Sequence, residues 1–269
     1  MFKLLLLLGG ALLISGIGYT QGMQVGNILV INQPILKTNV DPGTFQTSAT
    51  TEILPALEKQ SQGPTYHLFK ADRGKQKGSF LLVSTTDMIN RPKGLNVENS
   101  FNLTSVAKGG KALGDFISNA GDFTEYRLIG SDKIKSLPNS GILGIHFIQV
   151  KKERSNEFEK FVVEKLHPAV SQLFPDMQLL YYKAVAGEHT GSYITIFTID
   201  SPAARDKYWP GGAAETEILK KTFKPLEGLA KELGTYLVEG SYLEPSSGGA
   251  AAYWESKNWT DFIHINYYN

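Results

Sequence analysis

The sequence predicts an α+β protein made of two tandem β-α-β-β-α-β units whose antiparallel sheets pack face to face within one chain. Three observations predict it: an internal repeat, a strand and helix order legible in the second half, and strands that are apolar on both faces. The repeat comes first. Pro55–Asp87 aligns without a gap with Pro168–Asp200. Pro55, Ala56, Lys70, Ala71, Gly74, Gly78, Ser79, Thr85 and Asp87 each meet an identical residue at one constant offset, and upstream Phe45 meets Phe158. Phe69 meets Tyr182, Phe80 meets Tyr193 and Leu81 meets Ile194. Matches in one register along a whole unit mark duplication. The flanks agree after small shifts: "ILVINQPILK" from Ile28 resembles "ILGIHFIQVK" from Ile142, and "EYRLIGS" from Glu125 resembles "TYLVEGS" from Thr235.

The second unit gives the element order. Ile142–Val150, rich in β-branched and aromatic residues, predicts strand one. Ser155 is an expected N-cap with Glu157 and Glu159 in the first turn. Phe158, Phe161, Val162, Leu166, Ala169, Val170 and Leu173 recur at helical spacing. Pro168 within that helix cannot donate to the carbonyl of Glu164, and Pro55 repeats the feature against Thr51, so a kink shared by both units is expected. Met177–Ala186 and Tyr193–Ile199 read as a hairpin around "GEHTG". Ser201-Pro202 starts a second helical stretch, and Thr235–Leu243 reads as strand four. The first unit repeats the order with threonine-weakened helices and a polar excursion over 91–110.

This order makes a four-stranded antiparallel sheet with both helices on one face, the ferredoxin-like arrangement. Tyr193, Thr195, Phe197 and Ile199 alternate with Ile194, Ile196 and Thr198, so neither face of strand three suits water. Two such sheets in one chain are expected to cover each other. The units span 25–135 and 140–245. An aromatic tail, 246–269, follows the linker-like "PSSGGAAA", and its alternation at Ile263, Ile265 and Tyr267 predicts a strand added to the chain's own sheet.

Composition bounds the function. The chain has 269 residues, 42% of them hydrophobic, with a net charge of +1. No basic block points to nucleic acid. Lys3 and the apolar run from Leu4 to Ile17, followed by Gly18, Thr20 and Gly22, form the pattern of a cleaved secretory signal over 1–22. That run is shorter than the ~20 residues of a spanning helix, so an exported protein, periplasmic or extracellular, with no stable membrane insertion is expected. The absence of cysteine excludes disulfides, thiol nucleophiles and cysteine-ligated metals. The histidines lack metal-ligand spacing, and no metal or cofactor is expected.

The helix "FEKFVVEKLHPAV" and the strand "SYITIFTIDSPAARDKYWP" resemble the dimeric α+β-barrel superfamily in its tandem-repeat form. That group includes antibiotic-biosynthesis-monooxygenase-type and stress-responsive barrel proteins. The resemblance implies a ligand cavity between sheet and helices, with a polar strand-one residue facing it. Asn32 and His146, which align with each other, hold that position. The Asn-Trp-His set of the enzymes is incomplete within one unit. The expected function is therefore binding of a small apolar ligand between sheet and helices, chiefly in the second unit. A cofactor-independent monooxygenase or haem-linked enzyme is the alternative, and a non-catalytic interaction module a third. Candidate ligand-binding residues are His146, Tyr182, Tyr208, Trp209 and Asn32. Tyr181 and Tyr182 point to opposite sides of their strand. The molecule is expected to be a monomer with an internal pseudo-dimer, or a weak homo-oligomer.

Overall fold

The computed structural model describes residues 23–24, 27–61, 64–74, 77–86, 112–119, 123–130, 136–137, 141–174, 177–208, 221, 224–238 and 259–264. The first unit runs from β1 (Met23–Gln24), β2 (Ile28–Asn32) and β3 (Ile35–Leu36) through α1 (Pro42–Ser48) and α2 (Leu54–Ser61) to β4 (Thr65–Gly74), β5 (Phe80–Thr86), α3 (Leu113–Phe116), β6 (Ile117–Asn119) and β7 (Phe123–Gly130). After β8 (Ser136–Leu137), the second comprises β9 (Ile142–Ile148), α4 (Ser155–Phe161), α5 (His167–Leu173), β10 (Met177–Gly187), β11 (Tyr193–Ile199), α6 (Pro202–Tyr208), α7 (Glu227–Tyr236) and β12 (Trp259–His264). The polar excursion predicted over 91–110 lies outside the described residues. No helix among those described is long and apolar enough to cross a membrane.

Each unit contributes four antiparallel strands, in the orders β4-β5-β2-β7 and β10-β11-β9-β12. The two sheets meet edge to edge twice, β7 against β10 and β12 against β4, and so close an eight-stranded barrel. The register within each sheet follows the repeat. Leu68 faces Leu82, which faces Asn32; Tyr181 faces Thr195, which faces His146.

The fourth strand of the second unit differs from the sequence expectation. Thr235 and Tyr236 end α7, and among the described residues Leu237 makes only a bridge to Val150. The edge of β9 is taken instead by β12. Phe123 faces Asn32 as Trp259 faces His146, so β12 is the counterpart of β7. The two share a pattern, "FTEY" against "WTDF", that the "TYLVEGS" alignment misses.

Alternation along the strands divides the core into three. Leu29, Ile31, Phe69, Leu81, Val83, Tyr126, Leu143, Ile145, Tyr182, Ile194 and Ile196 fill the barrel. Val30, Leu68, Phe80 and Leu82 meet Phe45, Ala49, Ile53 and Leu57 of the first unit's helices. Ile142, Leu179, Tyr181, Tyr193 and Phe197 meet Phe158, Phe161, Val162 and Leu166 of the second's. The outer layers are built alike. Phe45 meets Phe80 edge-on at 4.9 Å and 74°, and Phe158 meets Tyr193 at 4.9 Å and 72°. Lys70 Nζ lies 5.7 Å from the Phe80 ring and Lys183 Nζ 5.6 Å from that of Tyr193.

The expected kink is a π turn at the same place in both units, Ala49–Ile53 and Val162–Leu166. The Leu54 amide donates to Ala49 O and that of His167 to Val162 O. Pro55 and Pro168 follow directly. A proline ring crowds the carbonyl four residues back, and one extra residue in the preceding turn relieves the clash. Ser155 is the first residue of α4 rather than its N-cap, because a 3-10 turn, Lys152–Arg154, leads into the helix. Ser201 does cap α6, with its Oγ 3.1 Å from the Ala204 amide.

Gly187 marks a close approach at the seam between β10 and β7. Its φ is +95°, and a Cβ there would lie 2.0 Å from Phe123 O on β7. Both the left-handed backbone and the close approach require glycine. Gly187→Ala is expected to cost at least ~2 kcal/mol, measured as a lowered midpoint in urea unfolding. An unchanged midpoint would show that the seam does not depend on this approach.

Candidate functional site

The second unit carries a row of polar side chains across its helix-facing sheet surface. Tyr181 on β10, Thr195 on β11 and His146 on β9 are directly opposed in register. Residues opposed in neighbouring strands share a face, about 5 Å apart, so the three form one line beneath the helices. All three are buried. Gly130 on β7 continues the line at one end, and the backbone of β12 borders it at the other, where Trp259 pairs with His146. At Gly130 a Cβ would lie 3.3 Å from Val163 Cγ2 and 3.7 Å from Val162 Cγ1, so the π turn rests on the sheet beside Tyr181.

The corresponding row of the first unit is Leu68, Leu82 and Asn32, and Leu68 and Leu82 belong to the apolar core beneath its helices. The same fold thus holds leucines where the second unit holds a phenol and a hydroxyl. Thr195 Oγ1 is buried and has no hydrogen-bond partner among the described residues. Burying a hydroxyl in that state costs about 1–3 kcal/mol. The leucine at the sister position incurs no such cost.

His146 lies edge-on to Phe197, with ring centroids 5.8 Å apart. Burial disfavours its imidazolium and pulls its pKa down from 6.5 to about 4. The ring is therefore neutral near pH 7. At the far end of the hairpin, Glu159 Oε1 accepts from Lys183 Nζ at 2.7 Å and from Tyr193 OH at 2.8 Å. That hydrogen bond holds the Lys183 ammonium charged, and burial followed by the Glu159 bond raises the Tyr193 phenol. The first unit has Gln46 and Phe80 at these positions.

The five residues picked from sequence do not form one group. His146 and Tyr208 share the second helix layer, where Tyr208 packs edge-on against Phe174 at 5.8 Å. Tyr182 is on the opposite face, inside the barrel, where burial raises its phenol pKa. The repeat match of Tyr182 with Phe69, itself a barrel-interior residue, was the signal for this placement. Tyr181 stands in the row instead, as the alternation with Leu179 requires. Asn32 is buried beneath the first unit's helices, in a different layer from His146. Trp209 lies outside the described residues. Thr195 was missed because a threonine in an apolar strand reads as β propensity; its pairing with His146 is what singles it out. Among the described residues, no group of His, Asp or Glu could hold a metal ion.

A second polar cluster joins the units. Arg205 on α6, only 3% exposed, reaches Asp72 on β4 at 2.9 Å and Asp206 at 3.0 Å. Arg73 returns the contact to Asp206 at 2.9 Å. The pairs tie a helix of one unit to a strand of the other.

No protein-family model matches the sequence, and no curated protein matches it. Among solved structures, the chain is similar to an anthrone oxidase-like protein, with 10% identity, a TM-score of 0.48, and coverage of 88% of this chain and 91% of the other. It is similar to a proposed monooxygenase from Lactobacillus acidophilus NCFM, with 9% identity, a TM-score of 0.48, and coverage of 90% and 94%. For chlorite dismutase from Candidatus Nitrospira defluvii the figures are 6%, 0.45, 88% and 90%.

The histidine has a signature in acid. The unfolded chain binds a proton at His146 near pH 6.5, the folded chain only near pH 4. Protons between those values favour unfolding, so stability falls as pH drops from about 6.5 towards 4. The separation corresponds to roughly 3 kcal/mol. His146→Asn installs the residue of the sister position and removes this loss. Urea unfolding at pH 7.5 and 4.5 is expected to show the parent losing about 2–3 kcal/mol more than the variant. Equal losses would mean that the ring is open to solvent.

Proposed function

We propose that the second unit binds a small, mostly apolar molecule between its helices and the sheet, with the Tyr181–Thr195–His146 row meeting the molecule's polar group. One observation carries this reading: the row is polar in one copy and largely apolar in the other, within otherwise matched packing. A buried hydroxyl without a partner costs stability unless something else satisfies it, and a ligand's polar group would do so. Apolar sites with a few convergent polar groups are the usual form of small-molecule pockets.

Binding is preferred over acid–base catalysis. A general base works best with a pKa near the working pH, and burial holds His146 near 4. That weighs against the monooxygenase and haem-linked alternatives as far as they use His146 as a base.

The test is titration with N-phenyl-1-naphthylamine, a neutral apolar fluorophore, on the parent, Thr195→Leu and Tyr181→Leu. Each variant installs the first unit's residue. Thr195→Leu is expected to raise stability by about 1 kcal/mol and to weaken binding about tenfold, equivalent to ~1.4 kcal/mol. A parent that binds no probe, or variants with unchanged affinity, would sink the reading.

We also propose that the protein is exported, on the strength of Lys3 and the apolar run Leu4–Ile17. Cell fractionation and intact mass are expected to find it outside the cytoplasm, beginning after Gly18, Thr20 or Gly22. A full-length cytoplasmic protein would overturn this.

A further inference from the structure

We propose that β12 is an exchangeable strand, and that the slot between β9 and β4 accepts Trp259–His264 of a second copy of the chain as well as the chain's own. The slot is defined by backbone register. β12 pairs antiparallel with β9 from Trp259↔His146 to Ile263↔Ile142, and with β4 from Thr260↔Gly74 to His264↔Phe69. Its two walls both run antiparallel to it, so they run parallel to each other. Spaced two strand widths apart, they cannot pair directly, and the gap takes one antiparallel strand. An edge with unmet N–H and C=O groups on both sides is a template for such a strand.

Contacts outside β12 also join the two sides of the slot. Arg205 and Asp206 on α6 grip Asp72 and Arg73 on β4 across the seam. These contacts join the second unit to the far wall without any residue of β12.

The two seams differ in their tethers. β7 begins at Phe123, close behind β6, which ends at Asn119. Its connection to β6 is only a few residues long. β12 begins at Trp259, whereas α7 ends at Tyr236, and the sequence between includes "PSSGGAAA". At a limit of roughly 3.3–3.6 Å per residue, that length carries the strand to a neighbouring barrel. An exchanged dimer keeps every contact of the monomer. The balance is then set by chain concentration against the effective concentration of the chain's own strand, which falls as the connecting segment lengthens. Refolding at high concentration favours exchange. Because Trp259 is in register with His146, each row would then be bordered by the other chain's strand. This inference does not depend on what the row binds.

The cysteine-free sequence allows a direct test. Lys70 and Ile263 are directly opposed. A Lys70→Cys chain and an Ile263→Cys chain are co-refolded over a range of concentrations, oxidised, and mapped by peptide mass spectrometry. Neither chain can form the 70–263 disulfide alone. The expected result is a 70–263 link between chains that rises with refolding concentration. The proposal is overturned if the double variant closes this disulfide within one chain while the co-refolded single variants never form it. Should the double variant not fold, light scattering on the unmodified chain decides. A dimer that survives dilution after refolding at high concentration supports exchange, and monomer alone overturns it.

Discussion

Closure of the backbone ladder is the constraint on which the rest of the structure depends. Four strands with helices on one face leave an apolar opposite face and two open edges. Each unit here meets both needs by joining its partner. β7 reaches β10, β12 reaches β4, and the inner faces enclose Phe69, Tyr126 and Tyr182. Duplication in one chain supplies what a single unit would have to find in a second molecule. The glycine at position 187 and the α6–β4 ion pairs stand at the two joints, one on each side of the barrel.

The repeat register made most of this legible. The constant offset from Pro55 to Asp87 placed two strands and a hairpin turn in each unit, and the hydrogen-bond register reproduces the pairing it implies. The shared prolines foretold a helix irregularity in both units, and the π turns occupy equivalent positions. The fourth strand of the second unit was not legible in the same way, because α7 claims Thr235 and Tyr236. "TYLVEGS" imitates "EYRLIGS" in residue type, while the true match, "WTDF" with "FTEY", sits at a different offset beyond an insertion.

The candidate row was half legible. His146 stood out as a polar residue in an apolar strand, and its neutral, buried state agrees with that position. Its neighbours could not be chosen from one strand at a time. Whether Tyr181 or Tyr182 joins it depends on which face each strand turns to the helices, a property of the sheet. Thr195 becomes conspicuous only when laid across from His146 and compared with Leu82.

The filled barrel interior has a consequence for how the two halves diverge. Tyr182, Tyr126 and Phe69 pack between the two helix layers as a partition. Substitutions in one outer layer are thereby insulated from the other. A lineage could rebuild the lining of the second unit while the first, kept leucine-rich, went on serving as the scaffold.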